Sequence, residues 1–332
     1  MIDLETAGRE ARDAFVLGLR PPRNAADALR PYGFFVEEEP RPGGGTARVA
    51  TVFLTNRECP WRCLMCDLWK NTLETPTPKG AIPAQVRYAL ERLPAADALK
   101  LYNAGSFFDR ASIPTDDHEE IASLARGFER VIVECHPALV GDEVLRFRDR
   151  LGGTGLEVAM GLETANEEIL RRLNKEMTVA QFQTAASFLL RNRISLRVFV
   201  LVGVPFLGKE EWPKATRTSI EVSFRAGARV VSLIPTRVGN GALEELQRHG
   251  LFQPPALRDL EMAMEDFSEG EEGRAHTAGI VLADLWDADK LAAAPCCAAT
   301  RIERLRKMNI IQRSLPLCSS LPPLCLQHIG HP

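Results

Sequence analysis

Three thiols fall within eight residues, Cys59-Pro60-Trp61-Arg62-Cys63-Leu64-Met65-Cys66, directly after the apolar run Val49 to Leu54. A C-x3-C-x2-C spacing lets three thiolates fold round one face of a cubane and hold three irons of a 4Fe-4S cluster, whereas ordinary cluster sites have four cysteine ligands. The fourth iron is then free for a ligand that is not protein. Two other chemistries use the same residues. Cys63-Leu64-Met65-Cys66 alone has the form of a redox C-x-x-C, and the three cysteines with Asp67 make a structural zinc set. A redox pair needs no third thiol four residues upstream, and most zinc sites are assembled from two separated pairs, so the cluster is the favoured reading.

Further polar residues stand where apolar runs end. Asn103-Ala104-Gly105-Ser106-Phe107-Phe108-Asp109 follows the run Ala98 to Tyr102, and its glycine and small hydroxyl let backbone come close to a ligand. Glu134 closes Val131 to Glu134, where a carboxylate is poor packing material and is expected to face a site. Glu163 lies on the turn Gly161-Leu162-Glu163-Thr164-Ala165-Asn166, and Lys175 follows it. Gly203-Val204-Pro205 ends another run, and Arg237 follows Pro235-Thr236, where an exposed loop charge is the commoner role.

These residues need a frame, and the alternation of patterns supplies one. Val49 to Leu54, Ala98 to Tyr102, Val131 to Glu134, Leu156 to Met160, Leu196 to Val202 and Val230 to Ile234 read as six strands with helices between them. In the clearest helix, Thr178 to Asn192, Phe182, Ala185, Ala186 and Leu189 share one face. Such alternation implies parallel strands joined by right-handed crossovers, hence an α/β fold: a partial (β/α)6 TIM-like barrel or an open doubly wound sheet. Either way, ligands belong at the C-terminal ends of the strands.

The core is expected over residues 48–245. An N-terminal extension, 1–47, carries a short helix with Leu4, Ala7, Ala11, Phe15 and Leu19 at helical spacing, an edge strand from Gly33 to Glu38, and the loop Pro40 to Gly45. In the C-terminal extension, 246–332, the pattern weakens to a helix from Pro255 to Phe267, an apolar segment from Ile280 to Trp286 and a basic helix from Arg301 to Lys307. Cys296, Cys297, Cys318 and Cys325 there are candidates for a second metal site, with free thiols as the alternative, since adjacent cysteines are awkward ligands for one metal.

Lys and Arg number 41 against 44 Asp and Glu, so a net charge of -3 gives no bulk case for nucleic acid or a membrane surface. A polyanion would need a local patch. Arg57, Arg62, Lys70, Lys209 and Arg237 sit in loops after strands, and Arg301, Arg304, Arg306 and Lys307 add charge on the late helix. No apolar run approaches the ~20 residues of a membrane span, and eight cysteines in a chain of 332 residues fit a reducing compartment, so a soluble cytoplasmic protein is expected.

The cysteine motif and the strand before it together resemble the radical SAM superfamily. The resemblance implies that S-adenosylmethionine chelates the open iron of a 4Fe-4S cluster and is cleaved reductively to a 5′-deoxyadenosyl radical, with an electron donor such as a flavodoxin or ferredoxin. It further implies that Gly105 and Ser106 stand in the Gly-Gly-Glu-like segment that receives the methionine amino group, although the acidic residue is missing here. Glu134 and Glu163 resemble the two positions that bond the ribose hydroxyls, Lys175 the basic position that meets the methionine carboxylate, and Gly203 the turn near adenine. Met65 replaces an aromatic residue common in the superfamily. Lys100 to Asp109, Glu157 to Asn166 and Leu173-Asn174-Lys175 are similar to the radical SAM proteins of archaeosine biosynthesis, relatives of the Elongator catalytic subunit. This closer resemblance spans about residues 50 to 245 and implies a tRNA base as substrate; His136 stands where that family often has arginine. A small-molecule or peptide substrate is the alternative, and a non-catalytic zinc-binding module the second.

Overall fold

A computed structural model describes residues 3–269, 279–291 and 295–316. Among the described residues eight strands form one sheet in chain order, β1 to β8, with β1 and β8 at its two edges. β1 (Gly33–Pro40) runs antiparallel to β2 (Thr46–Leu54). β3 (Ala98–Asn103), β4 (Arg130–Glu134), β5 (Gly155–Glu163), β6 (Ser195–Val202), β7 (Val230–Pro235) and β8 (Ile280–Ala283) continue parallel to β2. Helices fill the crossovers: α2 (Ala81–Leu90), α3 (His118–Ala125), α4 (Asp142–Arg150), α5 (Glu167–Arg172), α6 (Val179–Arg191), α7 (Trp212–Arg225), α8 (Ala242–Arg248) and α9 (Leu257–Glu269), with α1 (Arg9–Gly18) before the sheet and α10 (Pro295–Ile311) after it. This is a TIM-like partial barrel. The expected helix at Thr178 begins as its cap chemistry requires, with the Thr178 hydroxyl accepting from the Gln181 N–H and the Gln181 side chain reaching back to the cap.

Successive side chains of a strand point to opposite faces, and the two faces here are built differently. Val52, Leu54, Leu99, Leu101, Val133 and Val158 belong to the large buried cluster beneath the helices. The alternate positions fill the interior, where Val49, Ala98, Ile132 and Ala159 form a small apolar group. Beside it lies a charged layer. Arg197 on β6 grips Glu39 of β1 through two bonds of 2.8 and 2.7 Å and Glu157 of β5 at 2.6 Å. Lys100 on β3 donates to Glu37 and Glu39 at 2.7 Å, and Arg130 stands 3.6 Å from Glu39. Burial opposes the charge on Lys100 and Arg197, and the facing carboxylates overcome it, holding both cations above their ordinary pKa.

The C-terminal extension is more regular than its pattern suggested. β8 adds a seventh parallel strand, because Ile280–Ala283 is short and apolar enough to serve as a buried edge. α10 packs on both β1 and β8 and covers the two sheet edges. While Arg306 and Lys307 are exposed, two of its arginines turn inward, Arg301 pairing with Glu261 at 2.5 Å and Arg304 with Glu265 at 2.7 Å, both on α9. Glu261 is fully buried, so these cations neutralise an internal carboxylate. Of the candidate second metal site, Cys318 and Cys325 lie outside the described residues, and Cys296 and Cys297 stand in the first turn of α10, their side chains not described. Among the described residues no helix is long and apolar enough to cross a membrane.

Candidate functional site

β2 delivers the cysteine loop to the C-terminal mouth of the barrel, and neighbouring loops hold it there. Asn56, fully buried, accepts from the Ala104 N–H at 3.3 Å and donates to the Arg57 carbonyl at 2.6 Å, which joins the loops after β2 and β3. The Leu64 N–H donates to the Leu173 carbonyl at 2.8 Å, the Asn174 amide to the Arg62 carbonyl at 2.9 Å and the Asn240 amide to the Leu64 carbonyl at 2.7 Å. Trp61, between the first two cysteines, stacks on His136 with ring centroids 3.8 Å apart. That ring is a fixed neutral tautomer: Nδ1 accepts from the Ala138 N–H and Nε2 donates to the Lys175 carbonyl, each at 3.2 Å. Burial, then the charge of Lys175, pulls His136 down to about 3.

Cys59, Cys63 and Cys66 are free, partly exposed thiols. Burial, then the charge of Cys63, pushes Cys59 up to about 12, and the same two causes raise Cys66. The site therefore favours neutral thiols until a cation arrives, and a metal supplies one. Among the described residues no three His, Cys, Asp or Glu side chains converge on the point a single ion would occupy. Ligands to three different irons of a cubane need not converge in that way.

Glycines make the room. Gly105 has φ of 128°, and a Cβ there would stand 2.9 Å from the Cys59 Cβ and 3.3 Å from its Sγ. At Gly161 a Cβ would collide with Glu163 Oε1 at 2.2 Å and Lys175 Nζ at 2.7 Å. The missing side chain lets Lys175 donate to Glu163 at 2.6 Å across the end of β5, where Glu163 adopts the left-handed region at φ 66° and shifts the register with β6. Burial opposes the charge of Lys175, and Glu163, then Cys63, hold it protonated. Glu134 faces the same mouth. Burial is the main reason its carboxyl is raised to about 8, and Glu163 adds to it against the opposing Asn103 N–H and Lys175.

Two polar side chains here have no partner. Both amide atoms of Asn103, 1% exposed at the end of β3, and the hydroxyl of Thr236, 2% exposed after β7, are buried and unbonded. Ser106 differs: fully buried, its hydroxyl donates to the Cys135 sulfur at 3.4 Å. At Gly203, φ 78°, a Cβ would stand 2.7 Å from the Pro255 ring. Arg237 donates to Asp284 and to the Trp286 carbonyl at 2.6 Å, Lys209 pairs with Asp259 at 3.0 Å, Lys70 donates to the Gly239 carbonyl and Arg62 pairs with Glu58 at 3.0 Å, so four of the five cations of the expected basic rim are engaged within the chain. Arg57 is exposed and beside a cavity of about 430 Å³ that Arg23, Arg62 and Glu58 also line. Sequence reasoning passed over Asn56, Gly161, Thr236 and Asn240; of these, only a glycine inside an apolar strand carried a signal.

No family model matches the chain. An archaeosine synthase subunit beta of Thermococcus kodakarensis is 24% identical over 204 residues, 59% of this chain and 63% of that protein. An uncharacterised protein of Methanocaldococcus jannaschii is 21% identical over 250 residues, 71% and 68% of the two chains. The chain thus spans about two-thirds of the length of these relatives. Among solved structures, an archaeal Elp3 of Methanocaldococcus infernus aligns over 68% of this chain and 59% of that one, with 13% identity and a TM-score of 0.47, an overlap that carries no weight about activity. The three thiols of this chain are delivered by the first parallel strand of a TIM-like barrel, and in sequence the chain is similar to an archaeosine synthase subunit.

Proposed function

We propose that the protein is an enzyme that holds a 4Fe-4S cluster on Cys59, Cys63 and Cys66 and binds S-adenosylmethionine at the open iron, acting on a base of tRNA. The observation that carries this reading is the pair of orphaned side chains, Asn103 and Thr236, at the same end of the barrel as the cysteine loop. Buried polar groups without a protein partner at the mouth of a barrel are open to a water or a ligand. Fit is also supported by Gly105, which opens space against Cys59. When bound, the cluster and S-adenosylmethionine supply one-electron cleavage of the carbon–sulfur bond and hence a carbon radical.

This chain's own residues bind and orient. Lys175 is positioned to meet a carboxylate, exchanging its bond to Glu163 for the new one, which would free Glu163 for a hydroxyl. Glu134, raised to about 8, is protonated near neutrality and can donate a bond as well as accept one. The Trp61–His136 stack fixes the loop without adding charge, because the ring is neutral. Gly203 lets the Pro255 ring pack directly against the backbone at the end of β6.

The tRNA part of the reading rests on the archaeosine synthase relative. Arg57 is the exposed cation best placed to meet phosphate, and any such binding weakens steeply with salt. Metal analysis after anaerobic reconstitution tests the cluster. About four irons and four sulfides per chain, lost in Cys63→Ala, is the expected result, whereas one zinc with no iron would replace the enzyme by a structural metal protein.

A further inference from the structure

Lys175 stands between two strained residues. Asn174 and Glu176 both occupy the left-handed region, at φ of 54° and 53°, which residues other than glycine keep only where surrounding structure holds them. One side chain holds both. Arg12, on α1 and 7% exposed, donates through Nε to Asn174 Oδ1 at 3.0 Å and through Nη2 to Glu176 Oε1 at 3.0 Å, while Nη1 closes on the Ala7 carbonyl at 2.5 Å. The next residue completes the grip, since the Asn174 amide donates to Asp13 Oδ1 at 2.6 Å as well as to the Arg62 carbonyl at 2.9 Å. Asn174 is fully buried, and its side-chain bonds go to α1 and to the cysteine loop.

The N-terminal segment has further ties to the same place. Leu4 and Val16 share an apolar cluster, separate from the main core, with Leu64 of the cysteine loop and with Ile169 and Leu173 around α5. Past the end of α1, Gly241 lacks the Cβ that would meet the Leu19 carbonyl oxygen at 1.8 Å, so the chain there lies directly against the turn whose Asn240 fastens Leu64. Arg20 then reaches Glu58, next to Cys59, at 2.7 Å. A segment outside the barrel thus touches the cysteine loop, the Lys175 segment and the Asn240 turn together.

Direction follows from this grip. With left-handed backbone on both sides, the Lys175 N–H returns to the Leu170 carbonyl at 3.1 Å and its own carbonyl accepts from His136 at 3.2 Å, so the side chain crosses Gly161 to reach Glu163. Relaxation of Asn174 or Glu176 to negative φ would turn that side chain away. We propose that Arg12 is a positioning residue, one that keeps Asn174 and Glu176 left-handed and thereby aims Lys175 at the carboxylate of S-adenosylmethionine. The inference rests on the proposed function and gives a helix outside the barrel a part in ligand binding. Arginine suits the place because its planar fork meets two side chains and a carbonyl at once, which the compact ammonium of lysine does not span.

The test uses the reconstituted full-length protein and compares Arg12→Met, Arg12→Lys and, as a control on the same helix, Arg9→Met, since Arg9 is exposed and stands 3.6 Å from Asp13 and 3.8 Å from Glu176. Calorimetric titration with S-adenosylmethionine should find about tenfold weaker binding in Arg12→Met, a smaller loss in Arg12→Lys and none in Arg9→Met, all at equal iron per chain. The concentration that half-saturates 5′-deoxyadenosine formation should rise by the same factor, with the rate at saturation within about twofold of the parent. Hydrogen exchange without S-adenosylmethionine gives a second readout. The Leu64 and Lys175 amides, bonded to the Leu173 and Leu170 carbonyls, should exchange faster in Arg12→Met while those of β4 keep their rates. If Arg12→Met fails to fold, Glu176→Gln, which weakens one side of the grip, replaces it with a smaller loss expected. The proposal is overturned if Arg12→Met binds S-adenosylmethionine as tightly as the parent, if the two amides keep their exchange rates, or if affinity falls only in step with iron content, as it would for a merely structural tie. These results in a parent that binds S-adenosylmethionine reject the positioning role alone; a parent that holds about four irons yet binds none rejects the reading beneath it as well.

Discussion

The base and the mouth of the barrel treat polar groups in opposite ways. At the base, Glu37, Glu39 and Glu157 face Lys100, Arg130 and Arg197, and Arg197 makes three bonds while 1% exposed. At the mouth, Asn103 and Thr236 make no side-chain bond, Glu134 is raised to about 8, and Glu163 sits at a φ of 66°. Strand direction does not explain this contrast. The base pairs each of its carboxylates with a cation and so serves as a plug, although Arg130 Nε lacks a hydrogen bond, whereas at the mouth the Asn103 amide and the Thr236 hydroxyl have no protein partner.

Breaking the plug should have the largest effect. Arg197→Met strands two buried carboxylates, Glu39 and Glu157, and is expected to cost about 3–5 kcal/mol of stability, read from the shift of the urea midpoint. A loss under about 1 kcal/mol would mean that the network is not the plug described here. Gly105→Ala should be intermediate. Its Cβ would press on Cys59 at 2.9 Å at a φ that disfavours side chains, so about 1–3 kcal/mol is expected together with fewer irons per chain in reconstituted protein. Unchanged iron content would remove Gly105 from the cradle. The smallest effect on stability should come from Asn103→Leu, which replaces an unbonded amide by an apolar group of similar size and should change the ligand-free midpoint by less than about 0.5 kcal/mol. Calorimetric titration should nonetheless find weaker S-adenosylmethionine binding; equal affinity would show that the orphaned amide serves no ligand.

Much of the fold was legible because it depends on short-range pattern. Apolar runs of strand length between helical faces mark β2 to β7, and Thr178 with Gln181 marks the start of α6. Glu134 and Glu163 were legible as candidates because each stands at the end of an apolar run, and Lys175 through the family resemblance alone; the barrel brings Lys175 and Glu163 within 2.6 Å of each other. What stayed hidden depends on partners distant in sequence. Nothing in β1 says that Glu39 meets Arg197, 158 residues on, and nothing in the basic pattern of α10 says that Arg304 turns inward to Glu265. β8 escaped because a strand of four residues is too short for any period to declare itself. Asn56 and Asn240, which fasten the cysteine loop through backbone carbonyls, look from sequence like ordinary turn residues.

The central claim is that the open bonding at the mouth exists to hold a cluster and its S-adenosylmethionine, and reductive cleavage tests it most directly. Anaerobically reconstituted protein, given a strong one-electron reductant and S-adenosylmethionine, should form 5′-deoxyadenosine and methionine in equal amounts, and Cys63→Ala, which removes one of the three proposed ligands, should form neither. Protein that carries about four irons per chain yet repeatedly yields no 5′-deoxyadenosine would contradict the account.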